Sequence, residues 1–191
     1  MKSNNFKENI QPTLVLVMIC LVMTFLLAYV NSITSPIIAE HAQVAADNNR
    51  KILLPEADGF EAIDESMLYV QAEGQVWVED CYKATNDKGY VMTVKTKSFG
   101  GILTEMIGVD ETGAITGVKV TAHGDTKGLG TKAHDAGYLM QYTGVSKLDN
   151  AANIKQDTVV SFVSGASISS NGVYQGICCA LTQIEKLGGA N

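Results

Sequence analysis

Positions 164 to 173 form a stretch rich in hydroxyls and small residues, which reads Ser164-Gly165-Ala166-Ser167-Ile168-Ser169-Ser170-Asn171-Gly172-Val173. The β-branched and aromatic run before it, 158–163, predicts a strand. Apolar residues then recur at helical spacing up to Leu187, and Ser170 or Asn171 is expected to cap that helix. The unpaired N–H groups of a helix start suit an anion. The stretch therefore predicts a turn that holds a phosphate, with an ordinary capped helix start as the alternative.

The rest of the chain outside its N-terminal segment alternates short apolar runs with glycine-containing turns, which is typical of strands. Such runs lie at 68–70, 76–82, 89–96, 103–109 and 115–122. Helical periods are expected at 34–54 and 131–141. The short spacing between strands favours antiparallel pairing. The predicted fold class is therefore α+β, with a largely antiparallel sheet, flanking helices and one apolar N-terminal helix.

The N-terminal segment from Leu14 to Val30 has no charged residue. Extended to Ile33, it reaches the roughly 20 residues that span a membrane core. The apolar core of a cleaved signal is shorter, so a retained anchor is favoured over a signal peptide. Lys2 and Lys7 precede the segment, whereas the first basic residue after it is Arg50.

This charge distribution predicts the topology by the positive-inside rule. We expect residues 1–11 to be a short cytoplasmic N-terminus, 12–34 a transmembrane helix and 35–191 a single extracytoplasmic domain. The protein is thus expected in the cell membrane as a single-pass protein that contacts lipid through one helix.

Composition excludes some classes of function. The chain has 20 acidic and 14 basic residues, a formal net charge of -6, which argues against a nucleic-acid partner. The four cysteines show none of the usual metal-ligand spacings, so no metal is predicted. Cys178 and Cys179 are adjacent and are expected to stay reduced on a helix. A bridge from Cys81 to one of them stays open.

The tetrad Ser164-Gly165-Ala166-Ser167 resembles the flavin-attachment sequence of an FMN-binding domain family. This family includes the G subunit of Rnf-type redox complexes and the C subunit of Na+-translocating NADH:quinone reductases. The resemblance implies that Ser167 carries FMN through a phosphoester bond made by a flavin transferase. It also implies that Ser164, Gly165, Ala166, Ser169 and Ser170 surround the cofactor. The family usually has threonine where Ser167 stands and aspartate where Ser161 stands.

A second segment is similar to the same family in order and spacing. It comprises 100–110, 113–120 and the loop Asp125-Thr126-Lys127-Gly128-Leu129-Gly130, where the family typically has Glu-Thr-Pro-Gly-Leu-Gly. The resemblance implies cofactor contacts from this loop, at Thr126, Gly128, Leu129 and Gly130. With the apolar helix, it covers nearly the whole chain.

The function that the resemblance implies is electron relay through covalent FMN in an Rnf-type complex, which couples ferredoxin:NAD+ electron transfer to Na+ or H+ translocation. The protein would be an electron-carrying component of an oxidoreductase complex, without a catalytic residue of its own. Its partners would be the other subunits and, during maturation, the flavin transferase. The C subunit of the quinone reductase is the alternative, although the short chain favours the G subunit of the Rnf complex. A membrane-anchored assembly or ligand-binding protein without flavin, and an exported phosphoryl-ligand domain, stay open.

The sequence contains weak matches to two other kinds of functional site. Residues 128–133 match a Gly-x-Gly-x-x-Ala dinucleotide pattern, but no second βαβ unit accompanies it. Ser167 with His123 could be read as a serine hydrolase, yet 165–169 lacks the second glycine of a nucleophile elbow.

Overall fold

The computed structural model of the chain describes residues 4–149 and 152–188, with side chains from Ile10 onward. The three α-helices are α1 (Asn4–Leu53), α2 (Ala136–Leu139) and α3 (Ser167–Lys186). The six strands are β1 (Phe60–Ala62), β2 (Val70–Ala72), β3 (Val76–Ala84), β4 (Gly89–Ser98), β5 (Gly101–Asp110) and β6 (Ile115–Ala122). Short 3-10 turns lie at Glu65–Met67, Gly130–His134, Met140–Tyr142 and Ile154–Gln156. Two compact units divide the chain, Met1–Asp47 and Asn48–Asn191.

Most of α1 belongs to the first unit. The helix runs without interruption through Pro12 and Pro36. Its span Ile10–Leu53 is long and apolar enough, by length and composition, to cross a membrane. Thr24, the polar residue of the apolar run, donates its hydroxyl to the carbonyl of Cys20 at 2.8 Å, so that its polar group has a partner within the helix. The predicted helical character of 34–54 is confirmed up to Leu53.

The second unit is built on one antiparallel sheet, whose order is β1-β3-β4-β5-β6 with β2 beside β3. Strands β4 and β5 form its long central hairpin, in register from Gly89 opposite Asp110 to Ser98 opposite Gly101. Helix α3 packs on the sheet through a buried apolar face, formed by Val173, Ile177, Ala180, Leu181 and Ile184. The predicted α+β class with an antiparallel sheet is therefore confirmed.

The predicted strand at 158–163 is wrong. This segment is an irregular loop, because its backbone amides bond to side chains instead of a neighbouring strand. The Val159 amide donates to Asp157 at 2.7 Å, and the Val163 amide donates to Ser170 Oγ at 3.0 Å. The predicted helix at 131–141 is also broken, into α2 and the 3-10 turns that flank it.

The cysteines of the second unit are buried and free. Cys81, Cys178 and Cys179 all lie in the core without a disulfide, so the bridge considered from sequence is absent from the structure. Burial raises the pKa of each of these thiols to about 12. The adjacent pair lies on α3, as expected for a helix.

Candidate functional site

A pocket of about 140 Å³ opens where α3 begins. Its walls come from three distant parts of the sequence: the turn between β4 and β5, the loop at 126–130, and the first residues of α3 with the turn before them. The lining residues are Phe99, Thr126, Leu129, Gly130, Gly165, Ala166, Ser167, Ile168 and Ser169. The two segments singled out in the sequence thus meet in space. Most of the predicted site residues line this one pocket.

Three predicted site residues lie outside the lining. Ser164 and Gly128 are exposed on turns, and Gly128 has the left-handed φ of +74° that glycine adopts freely. Ser170 is fully buried, where its Oγ accepts the Val163 amide. Ser170 therefore holds the preceding loop against α3.

The start of α3 differs from the sequence expectation. The helix begins at Ser167, and its N-cap is Ala166, which offers no side-chain bond to the first turn. Ser170 and Asn171, the predicted caps, lie inside the helix. Asn171 instead accepts the amide of Ile154 at 2.8 Å through Oδ1. Because no side chain caps this helix start, its first N–H groups are available to an anion in the pocket.

Among the serines of this region, Ser167 alone combines two properties. It lines the pocket, and its hydroxyl makes no hydrogen bond to any residue in 4–149 or 152–188. Ser169 also lines the pocket, but it is only 2 % exposed, and its hydroxyl lies close enough to Asp125 to lower the pKa of that carboxyl. The geometry therefore presents the Ser167 hydroxyl as the one available for a bond to phosphate.

Asp125 lies beneath the pocket with its carboxylate fully buried. Ser98 Oγ and the Gly100 amide each donate to it at 2.6 Å. His134 Nε2 lies 3.1 Å from Asp125 Oδ2. Burial alone would raise the pKa of this carboxyl, but the hydrogen bonds from Ser98, Gly100 and Ser169 outweigh it and lower the pKa below its usual value. Asp125 is therefore an anion at neutral pH.

Two lining residues were missed from the sequence. Phe99 and Ile168 are exposed at 68 % and 58 % although both are large and apolar. Phe99 stands directly before Gly100-Gly101, and Ile168 lies between two serines of the hydroxyl-rich stretch. Position next to these motifs was the available signal, but a single sequence does not separate an exposed apolar side chain from a core one.

His134 is a buried titratable side chain next to Asp125. Its side chain is 6 % exposed, and its ring centroid lies 4.5 Å from that of His123. Burial and the neighbouring His123 lower the pKa of His134, against the opposing effect of Asp125. His134 is therefore neutral at pH 7.

His134→Gln is expected to weaken the loss of stability on mild acidification. Since the pKa of His134 is lowered by folding, the unfolded chain binds a proton first as the pH falls below about 6.5. The folded state then loses up to about 1.4 kcal/mol per pH unit until His134 itself titrates, and glutamine removes this contribution. Urea unfolding of the detergent-solubilised chain between pH 8 and 5 measures it. His41→Gln, on the exposed surface of α1, is the control. Parallel curves for wild type and His134→Gln would contradict the prediction.

The part of the chain that forms the pocket is similar to a known protein family. Residues 99–182 match the family described as the FMN-binding domain, and this range contains every lining residue of the pocket. This region of the chain is similar to FMN-binding domains. The family resemblance drawn from the tetrad and from the loop at 125–130 is therefore confirmed.

The chain also has curated relatives of similar length. It is 24 % identical over 178 residues to the G subunit of the proton-translocating ferredoxin:NAD(+) oxidoreductase complex of Clostridium ljungdahlii, covering 89 % of this chain and 88 % of the relative. It is 27 % identical over 188 residues to the G subunit of the Na(+)-translocating complex of Acetobacterium woodii, covering 91 % and 90 %. The crystal structure of NqrC from Shewanella oneidensis matches with a TM-score of 0.45 and 18 % identity, covering 65 % of this chain and 71 % of that one.

Proposed function

We propose that this protein is a membrane-anchored flavoprotein component of an Rnf-type complex, and that it relays electrons through FMN esterified to Ser167. Both relatives named above are G subunits of ferredoxin:NAD(+) oxidoreductase complexes, and each aligns over about nine tenths of its length. The single observation that supports the attachment point is the free Ser167 hydroxyl in a pocket at an uncapped helix start. The protein is thus a component of an oxidoreductase complex and an electron carrier within it.

The residues of the pocket suit the phosphate end of FMN. The first N–H groups of α3 have no side-chain cap, and the positive end of the helix dipole favours the negative charge of a phosphate there. Gly130 keeps the loop close to the helix: a Cβ at this position would lie 2.8 Å from Ser169 Oγ and 2.9 Å from Asp125 Cβ. The backbone can therefore approach a ligand in the pocket closely.

The size of the pocket suggests that only part of FMN lies inside it. Sites that enclose a whole drug-sized ligand measure about 300–1,000 Å³, whereas this pocket measures about 140 Å³. It suits a phosphate and the adjoining chain better than a complete flavin. Phe99, Leu129 and Ile168, which are exposed and apolar, offer the chemistry that an aromatic ring system needs at the pocket opening.

Each part of the chain has a separate role in this proposal. FMN, when bound, supplies the ability to accept and pass on electrons singly or in pairs. Ser167 supplies the tether, and the start of α3 balances the charge of the phosphate. The apolar side chains exclude water from one side of the ring system. No residue of the chain acts as an acid, base or nucleophile in electron relay.

Membrane anchoring completes the proposal. Residues 12–34 of α1 would span the membrane, 1–11 would lie in the cytoplasm, and 35–191 would lie on the extracytoplasmic side. Lys7 lies just before the uncharged run, whereas the first basic residue after it is the distant Arg50, and this asymmetry supports the orientation; Lys2 lies outside the described residues. An anchor keeps the carrier at high effective concentration beside the other subunits. A flavin transferase acts on the domain during maturation.

Ser167→Ala is the direct test of attachment. The full chain is produced with a flavin transferase, purified in detergent, and examined by intact mass and peptide mapping. We expect wild type and Ser167→Thr to gain the mass of one phosphoester-linked FMN, because both offer a hydroxyl, and Ser167→Ala to lose it almost completely. Ser164→Ala is the matched control and should stay loaded, since Ser164 lies outside the pocket lining. Covalent flavin on Ser167→Ala, or a colourless wild type, would overturn the assignment.

A second candidate is a domain that holds a phosphoryl ligand reversibly. Ser161 favours it, because the resemblance implies aspartate at this position. Its amide donates to Gln141 Oε1 at 2.9 Å and its carbonyl accepts the Tyr138 hydroxyl at 2.9 Å, so that Ser161 is committed to the segment around α2. Flavin that separates from the wild-type chain in denaturant, together with covalent flavin on Ser161→Asp, would establish this candidate.

A further inference from the structure

We propose that Asp125 is the positioning residue of the flavin pocket: its buried carboxylate fixes the three pocket walls relative to the Ser167 hydroxyl. The expected effect on flavin loading rests on the proposed function. The contacts of Asp125 that carry the inference exist in the protein without flavin. The sequence singled out Asp125 only as a substitution within the loop.

The first wall is the turn between β4 and β5. Ser98 Oγ and the Gly100 amide donate to the two different oxygens of the Asp125 carboxylate, each at 2.6 Å. Phe99 lies between these two donors and lines the pocket with a side chain that is 68 % exposed. The paired bonds on either side hold the backbone of Phe99 in place.

The second and third walls join at the same carboxylate. Ser169, on the first turn of α3 and two residues beyond Ser167, lies close enough to Asp125 for its hydroxyl to lower the pKa of that carboxyl. His134 Nε2 approaches it to 3.1 Å from the end of the 3-10 turn that follows the loop at 126–130. Asp125 itself directly precedes that loop. One anion therefore connects every segment that lines the pocket.

The packing around Asp125 leaves no room for adjustment. A Cβ at Gly100 would overlap the carbonyl of Gly124, and a Cβ at Gly130 would lie 2.9 Å from Asp125 Cβ. The backbone on both sides of the carboxylate is thus already at close approach. Removing the carboxylate would leave the donors on Ser98 and Gly100 without their acceptor, and these would seek water by separating the walls.

The role is positioning and not catalysis, because Asp125 is absent from the pocket lining. Its effect on flavin must act through Phe99, Ser167 and Ser169. Small displacements suffice for a large effect, since a misplacement of about 1 Å can cost about a hundredfold in a group-transfer step.

Asp125→Ala and Asp125→Asn in the full chain test the proposal, with Ile184→Ala as the control. Ile184 is buried at the far end of α3, so that its truncation destabilises the domain without touching the pocket. Flavin load per folded chain is measured after production with the flavin transferase, at a temperature where circular dichroism shows each variant folded. We expect Asp125→Ala to lower the load at least about tenfold, Asp125→Asn to lower it less, and Ile184→Ala to keep the wild-type load.

Hydrogen exchange gives a readout that does not depend on flavin. In Asp125→Ala, amides at 98–100, 126–130 and 167–170 should exchange faster than in wild type, while the centre of the β4–β5 hairpin keeps its protection. Ile184→Ala should not show this local pattern. A flavin load equal to that of Ile184→Ala, or exchange raised evenly over the domain, would overturn the role of Asp125. If wild type carries no flavin, the proposed function fails, and the exchange pattern alone still decides about Asp125.

Discussion

Gly176→Ala is expected to destabilise the second unit of the chain by about 3 kcal/mol, because α3 lies against the sheet at this residue without space for a side chain. A Cβ at Gly176 would overlap Oε1 of Glu105 on β5 and would lie 2.8 Å from Cγ2 of Thr96 on β4. Both neighbours are fully buried, so neither can rotate toward solvent. The helix itself would have to lift from the sheet. Urea unfolding of the detergent-solubilised chain measures the loss.

Gly137→Ala is the matched control for this substitution. Gly137 lies in α2, and a Cβ there would meet nothing within 4 Å. It should leave stability unchanged or slightly increased. Adding Glu105→Ala to Gly176→Ala removes the clashing carboxyl. The double variant should therefore lose less stability than the two single variants lose together. Strict additivity, or a Gly176→Ala variant as stable as Gly137→Ala, would contradict the packing argument.

Glu105→Gln is expected to remove a loss of stability that the wild type suffers as the pH rises. Glu105 is 0 % exposed, and neither carboxyl oxygen has a hydrogen-bond partner among the described residues. The titratable groups facing it are Tyr142, Cys178 and Cys179, which are uncharged at neutral pH. Burial therefore raises the pKa of Glu105 well above its usual value.

The sign of the effect follows from proton binding in the two states. Above a pH of about 4.3 the unfolded chain has released the proton of Glu105, while the folded chain still retains it. Stability is then complete at low pH and falls by about 1.4 kcal/mol per pH unit until the folded carboxyl titrates. Glutamine has nearly the same shape and no proton to lose. The advantage of Glu105→Gln over wild type should therefore grow steadily from pH 5 to pH 8.

Denaturant unfolding at several pH values checks this expectation. Glu111→Gln is the control, since Glu111 is exposed and pairs with Lys88 at 3.1 Å on the surface. Its pH dependence should follow that of wild type. A constant difference between Glu105→Gln and wild type across the range would show that the folded carboxyl is already ionised.

The sheet was predictable from the sequence because its strands satisfy local rules. The runs at 76–82, 89–96, 103–109 and 115–122 are short, rich in apolar residues and separated by glycine-containing turns, and each lies within a strand of the structure. The run at 158–163 has the same composition but no strand beside it, so its amides bond to Asp157, Gln141 and Ser170 instead. Composition describes a preference for extended backbone, and only the tertiary structure supplies the partner.

The site was predictable in part for a related reason. The tetrad at 164–167 and the loop at 125–130 were assigned from resemblance, and the structure brings most of their residues into one pocket. The true start of α3 was not predictable, because Ser170 and Asn171 look like caps but bond to other segments. The contacts of Asp125 were also hidden. Its partner Ser98 lies 27 residues away in sequence, and no local pattern encodes such a meeting.

The burial of Cys81, Cys178 and Cys179 determines how their thiols react with reagents in solution. Burial raises the pKa of each of these thiols to about 12, and oxidants and alkylating reagents act on the ionised form of a thiol. While the domain stays folded, these three side chains are therefore poor targets for both kinds of reagent.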